Sequence, residues 1–205
     1  MSRVKGDIAS INIIDSQMEV GRWMELLRHK SPETYQHCVR VALLAELMGT
    51  ALKYDNRQLS ELMQGCFLHD LGKILVPQEI ISKTAPLSAE EWTIMRLHPQ
   101  LGAELLENHG GVDDAIIRLV HSHHERWDGR GYPQGLAGLQ IPLNARICAV
   151  IDAFDCMISV RPYRRRMSVE EAKDELIKHS GKQFDSEMVQ LFLKVFIKFP
   201  EMYLQ

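Results

Sequence analysis

Helix-start signals recur along this chain, each followed by apolar residues at helical spacing, and no stretch alternates apolar and polar residues as a half-buried strand does. Ser16-x-x-Glu19 is a capping box opening a segment with Val20, Trp23, Met24 and Leu27, and Ser31-Pro32 is an N-cap with proline at the first helical position. The second helix runs toward Leu52 with Val41, Leu44, Ala45 and Met48 on its apolar face. Asp55 caps a third, carrying Leu59, Leu62, Met63, Cys66 and Phe67 and ending near Gly72. Ser88-x-x-Glu91, Asp113 or Asp114, and Ser168-x-x-Glu171 open further helices, the second reaching His124 and the third stopped by Gly181. The pattern predicts an all-α fold.

One long stretch breaks it. Between Glu125 and Pro142, Gly129, Gly131, Gly135 and Gly138 accompany Pro133 and Pro142, which no regular helix or central strand tolerates. Trp127, Tyr132 and Leu136 argue for an ordered loop, and loops of this length in a compact domain are usually functional. With no repeat, low-complexity tract or linker, the expected division is a short N-terminal segment at 1–15 and one domain at 16–205.

At 205 residues, 45% hydrophobic and 25% charged, the chain can bury a sizeable core. A net charge of −3 excludes a sequence-blind binder of nucleic-acid polymers, so an anionic ligand must meet a local basic cluster. Cys38, Cys66, Cys148 and Cys156 form no C-x-x-C pair and lie in apolar helical patterns, where cysteine acts as a small hydrophobe. A reduced, cytoplasmic setting is expected. The start, from Met1 to Asp7, lacks a basic end followed by an apolar stretch, and no window approaches the roughly 18 apolar residues of a membrane span, so neither signal peptide nor membrane helix is expected.

Histidines number nine, and they are unevenly placed. Glu33 and His37 share a face of the second helix and can reach a common ion, although such a pair is more often solvated or capping. His69-Asp70 reads equally as a polar helix end before Gly72 or as a pair of ligands whose carboxylate bridges two ions. His98 and the His123-His124 doublet add imidazoles whose burial demands partners, and Asp152 sits among Ile147, Val150, Ile151, Ala153 and Phe154. Together His37, His69, Asp70, His98, His123, His124 and Asp152 exceed one ion's needs and suit two ions of about six ligands each. Cysteine is absent from that set, which disfavours structural zinc or an iron–sulfur cluster. His29, His109 and His179 suit helix ends, and His121 is read as a packing residue or one supporting the ligands.

The order His69-Asp70-Leu71-Gly72-Lys73, His98-Pro99, His123-His124-Glu125, Asp128-Gly129-Arg130-Gly131-Tyr132-Pro133 and Arg161-Pro162-Tyr163-Arg164 resembles the HD-GYP family of HD-superfamily phosphodiesterases, over about residues 30–190. The resemblance implies an HD-type helical bundle whose Gly/Pro-rich loop carries the GYP motif. It also implies a cytoplasmic enzyme of bacterial second-messenger signalling that hydrolyses cyclic di-GMP or a related cyclic dinucleotide. The family's metal ligands fall on His37, His69, Asp70, His98, His123, His124 and Asp152, and Glu33 stands where some members hold a third metal. Two or three divalent ions are implied, iron first and manganese next. Asp70 and Lys73 are the expected catalytic residues, with Lys73, Arg161, Arg164, Gly131, Tyr132 and Pro133 facing substrate. Docking of diguanylate cyclases through the GYP loop is a further expected partnership. Departures are Asp185-Ser186 after Phe184, where Asp-Pro is common, and Lys83-Thr84-Ala85 in place of Lys-Pro-Gly. No receiver or sensor domain, of the kind many members carry, is expected within these residues.

The implied reaction is attack of metal-activated water on a 3′–5′ phosphodiester, with Lys73, Arg161 and Arg164 contacting phosphate or guanine. A different HD phosphohydrolase acting on nucleotides is the rival enzyme, disfavoured by the Gly131-Tyr132-Pro133 loop. A cyclic-dinucleotide sensor is the rival from another class, and would normally have lost ligands.

Overall fold

A computed structural model describes residues 19–159 and 165–196. Residues 19–30 form α1, followed by α2 (Pro32–Ala51), α3 (Asn56–Leu68), a 3-10 turn (Leu71–Leu75), α4 (Gln78–Ile81), α5 (Ala89–Met95) and α6 (His98–His109). Then come α7 (Asp114–Ser122), a 3-10 turn (Gly138–Gln140), α8 (Leu143–Ile158), α9 (Val169–Lys178) and α10 (Ser186–Phe196). Among the described residues β pairing is limited to two isolated bridges, Asp128 with Ala137 and Ser180 with Phe184. The all-α expectation holds.

The helices begin where short polar side chains satisfy their first free N–H groups. Ser31 Oγ accepts from Thr34 N with Pro32 in the first turn, and Asp55, Ser88 and Ser168 each form the reciprocal capping box. Asp113, rather than Asp114, caps α7 through Ala115 N at 3.0 Å. Ser16 of the first expected capping box lies outside the described residues.

Helix ends differ from expectation. Helix α3 stops at Leu68 instead of near Gly72, α7 at Ser122 instead of His124, and α9 at Lys178, before Gly181. Gly72 lies inside the following 3-10 turn, where a Cβ would sit 2.0 Å from the His98 carbonyl oxygen and 2.6 Å from Gly102 N. Its role is to let two backbones touch, not to end a helix.

Two apolar clusters hold the bundle. The larger joins Val41, Leu44 and Met48 of α2 to Leu62 of α3, Ile147, Ile151 and Phe154 of α8, and Phe192 and Phe196 of α10. The Phe154 ring centroid lies 4.8 Å from that of Phe192 and 4.6 Å from that of Phe196. The smaller gathers Met24 and Leu27 of α1 with Cys38, Leu68, Leu71, Leu106, Ile116 and Val120. Each such large side chain stabilises the fold by roughly 1.5–3 kcal/mol on burial. Polar donors lie between the two: His37 precedes Cys38 of the smaller cluster, His69-Asp70 is flanked by its Leu68 and Leu71, and Asp152 follows Ile151 of the larger.

Candidate metal centre

Three histidines use one local device. His69 caps the C-terminus of α3, His123 caps that of α7, and His98 follows α5 as the first residue of α6. Each donates its Nδ1–H to the carbonyl three residues earlier: His69 to Cys66 at 2.7 Å, His98 to Met95 at 2.8 Å and His123 to Val120 at 2.7 Å. A carbonyl only accepts, so the proton is held on Nδ1 and the Nε2 lone pair is turned inward, as a metal-ligating imidazole requires.

These nitrogens converge on two carboxylates, Asp70 buried and Asp152 half-buried. Asp70 Oδ1 lies 3.1 Å from His98 Nε2, while Oδ2 lies 3.5 Å from His69 Nε2 and 2.6 Å from Lys73 Nζ. Asp152 Oδ1, from α8, is 2.9 Å from His37 Nε2 and 3.9 Å from His69 Nε2. The structure brings all seven core candidates together: His37, His69 and Asp70 form one compact donor group, His98, His123 and His124 a second, and His37 with Asp152 and Cys156 a third.

Electrostatics favour a cation here. Burial alone would push the Asp70 carboxyl up, yet the Lys73 ammonium beside it holds it well below the usual range. For Asp152 the same penalty is outweighed by the hydrogen bond and charge of His37. Burial depresses His69, drives His123 well down and takes His124 to about 3, so those rings are neutral. His98 Nε2 and His123 Nε2 face each other at 3.2 Å with both Nδ1 atoms already bonded to carbonyls, so two lone pairs meet unless a cation lies between them. Imidazoles and carboxylates at this density suit borderline divalent ions.

Support for the ligands comes from residues that the sequence reading passed over. Asp155, fully buried, accepts from His37 Nδ1 at 2.7 Å and receives the Arg40 guanidinium at 2.7 and 2.8 Å. Burial disfavours charge on His37, but Cys156, Asp152 and Asp155 together raise it well above the ordinary imidazole value. The signal for Asp155 was its place three residues after Asp152 in an apolar run, a second carboxylate needing a partner. Cys156 departs from the reading of all four cysteines as small hydrophobes: Cys38, Cys66 and Cys148 are packed in the apolar clusters, but Cys156 is half-buried with Sγ 3.2 Å from Asp152 Oδ1.

The Gly/Pro-rich loop is pinned by Glu125, buried, whose carboxylate accepts from the backbone N–H groups of Gln134 (2.6 Å), Gly135 (3.1 Å) and Leu136 (3.0 Å). Gly131 lies against the chain it folds back on, where a Cβ would come within 2.4–2.6 Å of Arg126 N, Glu125 Cα and His124 O. Tyr132 thereby packs on His124, ring centroids 4.9 Å apart, with Arg96 over its ring at 5.5 Å. A cleft of about 600 Å³ opens beside the cluster, lined by His123, His124 and Asp152 and by Arg96, Arg130 and Tyr132.

A family model described as HD domain matches residues 22–188. The chain belongs to the HD-domain family. Among curated relatives this HD domain is 36% identical over 171 residues to a cyclic di-GMP phosphodiesterase of Thermotoga maritima, covering 83% of the chain and 46% of that protein. It is 34% identical over 166 residues to a 3′3′-cGAMP-specific phosphodiesterase of Vibrio cholerae, covering 80% of the chain and 32% of the relative. The chain thus spans less than half the length of these relatives. In fold it matches the HD domain of the L. monocytogenes phosphodiesterase PgpH solved with cyclic-di-AMP, at TM-score 0.64 and 20% identity over 90% of this chain and 98% of that one.

The remaining candidates are placed unevenly around the HD centre. Glu33 is exposed in the first turn of α2 and stands outside the three donor groups. Lys73 reaches the centre, where its Nζ donates to Asp70 Oδ2 at 2.6 Å. Arg161 and Arg164 lie outside the described residues. Of the histidines assigned to helix ends, His109 pairs with Glu19 at 2.9 Å and His179 with Glu175 at 3.1 Å, while His29 is exposed; His121, read as a packing or supporting residue, is half-buried.

Proposed function

We propose that this HD domain hydrolyses the 3′–5′ phosphodiester of a cyclic dinucleotide, cyclic di-GMP first and mixed cyclic GMP–AMP next. The observation that carries the reading is the buried histidine–aspartate cluster opening into a cleft with exposed arginine at its rim. The names of the relatives support the substrate class. His37, His69, Asp70, His98, His123, His124 and Asp152 would hold two divalent ions, iron preferred over manganese, and Glu33 a third. When bound, such ions supply Lewis acidity at the phosphate and lower the pKa of water.

The chain's own groups do the rest. The three carbonyl-locked imidazoles and the Asp155–His37 pair orient donors in advance, so little reorganisation accompanies the reaction. Lys73 holds Asp70 ionised and brings a cation to the phosphate. Arg96 and Arg130 attract a dianion to an otherwise acidic protein of net charge −3, and Tyr132, which lines the cleft, offers a base a ring to rest on, with Gly131 and Pro133 shaping the loop on either side of it. Arg161 and Arg164 complete the phosphate and guanine contacts. The enzyme would act in the cytoplasm; among the described residues no helix is long and apolar enough to cross a membrane. Diguanylate cyclases would dock on the GYP loop, where Leu139 is 80% exposed.

Protein purified without oxygen and analysed for metal, then incubated with each cyclic dinucleotide, tests this. Chromatography is expected to show linear dinucleotide or mononucleotides. Intact cyclic dinucleotides alongside cleavage of ordinary nucleotides would transfer the domain to the rival phosphohydrolase class. In the same assay Arg161→Ala and Arg164→Ala are each expected to raise KM by about 10-fold or more with metal content unchanged, since each removes a charge-assisted bond of about 1.5–3 kcal/mol. Glu33→Gln is expected to lower metal content by about one ion per chain, because an amide is a poor ligand for a hard cation. Equal content would leave Glu33 as a first-turn helix charge.

A further inference from the structure

Helix α8 presents Asp152 and Cys156 on one face, four residues apart, toward His37 of α2. The three donor atoms form a small triangle: His37 Nε2 to Asp152 Oδ1 is 2.9 Å, Cys156 Sγ to Asp152 Oδ1 is 3.2 Å, and Cys156 Sγ to His37 Nε2 is 4.0 Å. Metal–sulfur bonds of about 2.3 Å and metal–nitrogen or –oxygen bonds of about 2.0–2.2 Å, meeting at ordinary angles, separate donors by roughly 3–3.6 Å. Two sides of the triangle match, and the third, at 4.0 Å, is about 0.4 Å wider than the upper end of that range. The thiol also lines the cleft and forms no disulfide.

We propose that Cys156 is a thiolate ligand of this centre, sharing one ion with His37 and Asp152. The inference rests on the reading of the cluster as a metal site. Binding releases the thiol proton to solvent as the metal–sulfur bond forms, so the charge balances without any redox partner. A thiolate among imidazoles and carboxylates shifts preference toward iron, cobalt and zinc and away from manganese and magnesium. It would set this domain's metal selectivity from within the ligand set. The competing role is a small side chain whose S–H merely donates to Asp152.

Cobalt(II) added to the whole apoprotein distinguishes the two. Thiolate ligation gives an intense sulfur-to-cobalt charge-transfer band in the near ultraviolet in addition to the weak visible d–d bands. Wild type is expected to show both. Cys156→Ser and Cys156→Ala should lose the charge-transfer band, keep the d–d bands, and bind cobalt about tenfold more weakly with manganese affinity nearly unchanged. Cys148→Ala, altered in the apolar core, should keep the charge-transfer band. Visible cobalt bands without charge transfer in wild type, or a band that survives both Cys156 substitutions, would overturn the thiolate while leaving the metal centre standing. No cobalt bound at all would overturn both.

Discussion

Asp70→Asn is expected to lower phosphodiesterase turnover by about a thousandfold or more and to strip metal from the protein, while the helical fold survives. Asp70 is buried, and its two oxygens face different sides of the cluster, Oδ1 toward His98 and Oδ2 toward His69 and Lys73. A group so placed can serve two ions at once. Asparagine keeps the volume but exchanges a charged acceptor for an amide that cannot bridge cations. Loss of several kcal/mol of charge stabilisation corresponds to about three orders of magnitude in rate. The fold has little to lose directly, because the apolar clusters do not depend on the carboxylate; Lys73, however, loses its partner, so a modest fall in melting temperature is expected with it. Elemental analysis, circular dichroism and turnover on one preparation decide the matter. Near-normal turnover in metal-defined buffer would refute a bridging role.

Gly72→Ala is expected to damage stability and metal binding together, although Gly72 offers no side chain to any ligand. The added methyl would stand 2.0 Å from the His98 carbonyl oxygen and 2.9 Å from its carbon, with Gly102 N at 2.6 Å. All three are backbone atoms, so no flexible tip can swing aside, and the 3-10 turn must separate from the start of α6. Overpacking of this kind costs about 1–3 kcal/mol. For a domain of this size that is a fall of very roughly 2–12 °C in Tm. The separation also pulls His98 from Asp70, two groups now 3.1 Å apart, so metal affinity should fall by about the 10–100-fold typical of lost ligand support. A Tm and metal content equal to wild type would show that the close approach can relax freely. Gly102→Ala supplies a graded comparison, since its Cβ would meet Gly72 N at 3.0 Å and the Val120 side chain at 3.1 Å.

Much of this protein is legible in its sequence. Helix starts are local: Ser31, Asp55, Ser88 and Ser168 bond to N–H groups within three residues, so chain order alone marks where α2, α3, α5 and α9 begin. The histidines and aspartates were legible for a different reason, because polar groups in apolar runs must find partners, and those partners had to be one another or ions. Helix ends were less so. Gly72 resembles a helix stop in sequence, and only its contact with the His98 carbonyl shows a packing role. The same holds for the support of the centre. Nothing local links Asp155 to His37, 118 residues away, or the buried carboxylate of Glu125 to the loop it pins, and nothing in an apolar helix distinguishes Cys156 from Cys148 until α8 is turned against α2. Sequence by itself determined which elements form and which residues need a partner, because caps and apolar periods act over a turn or two. Tertiary structure decided who the partners are, because that depends on how two separate apolar clusters set the angles at which the helices meet.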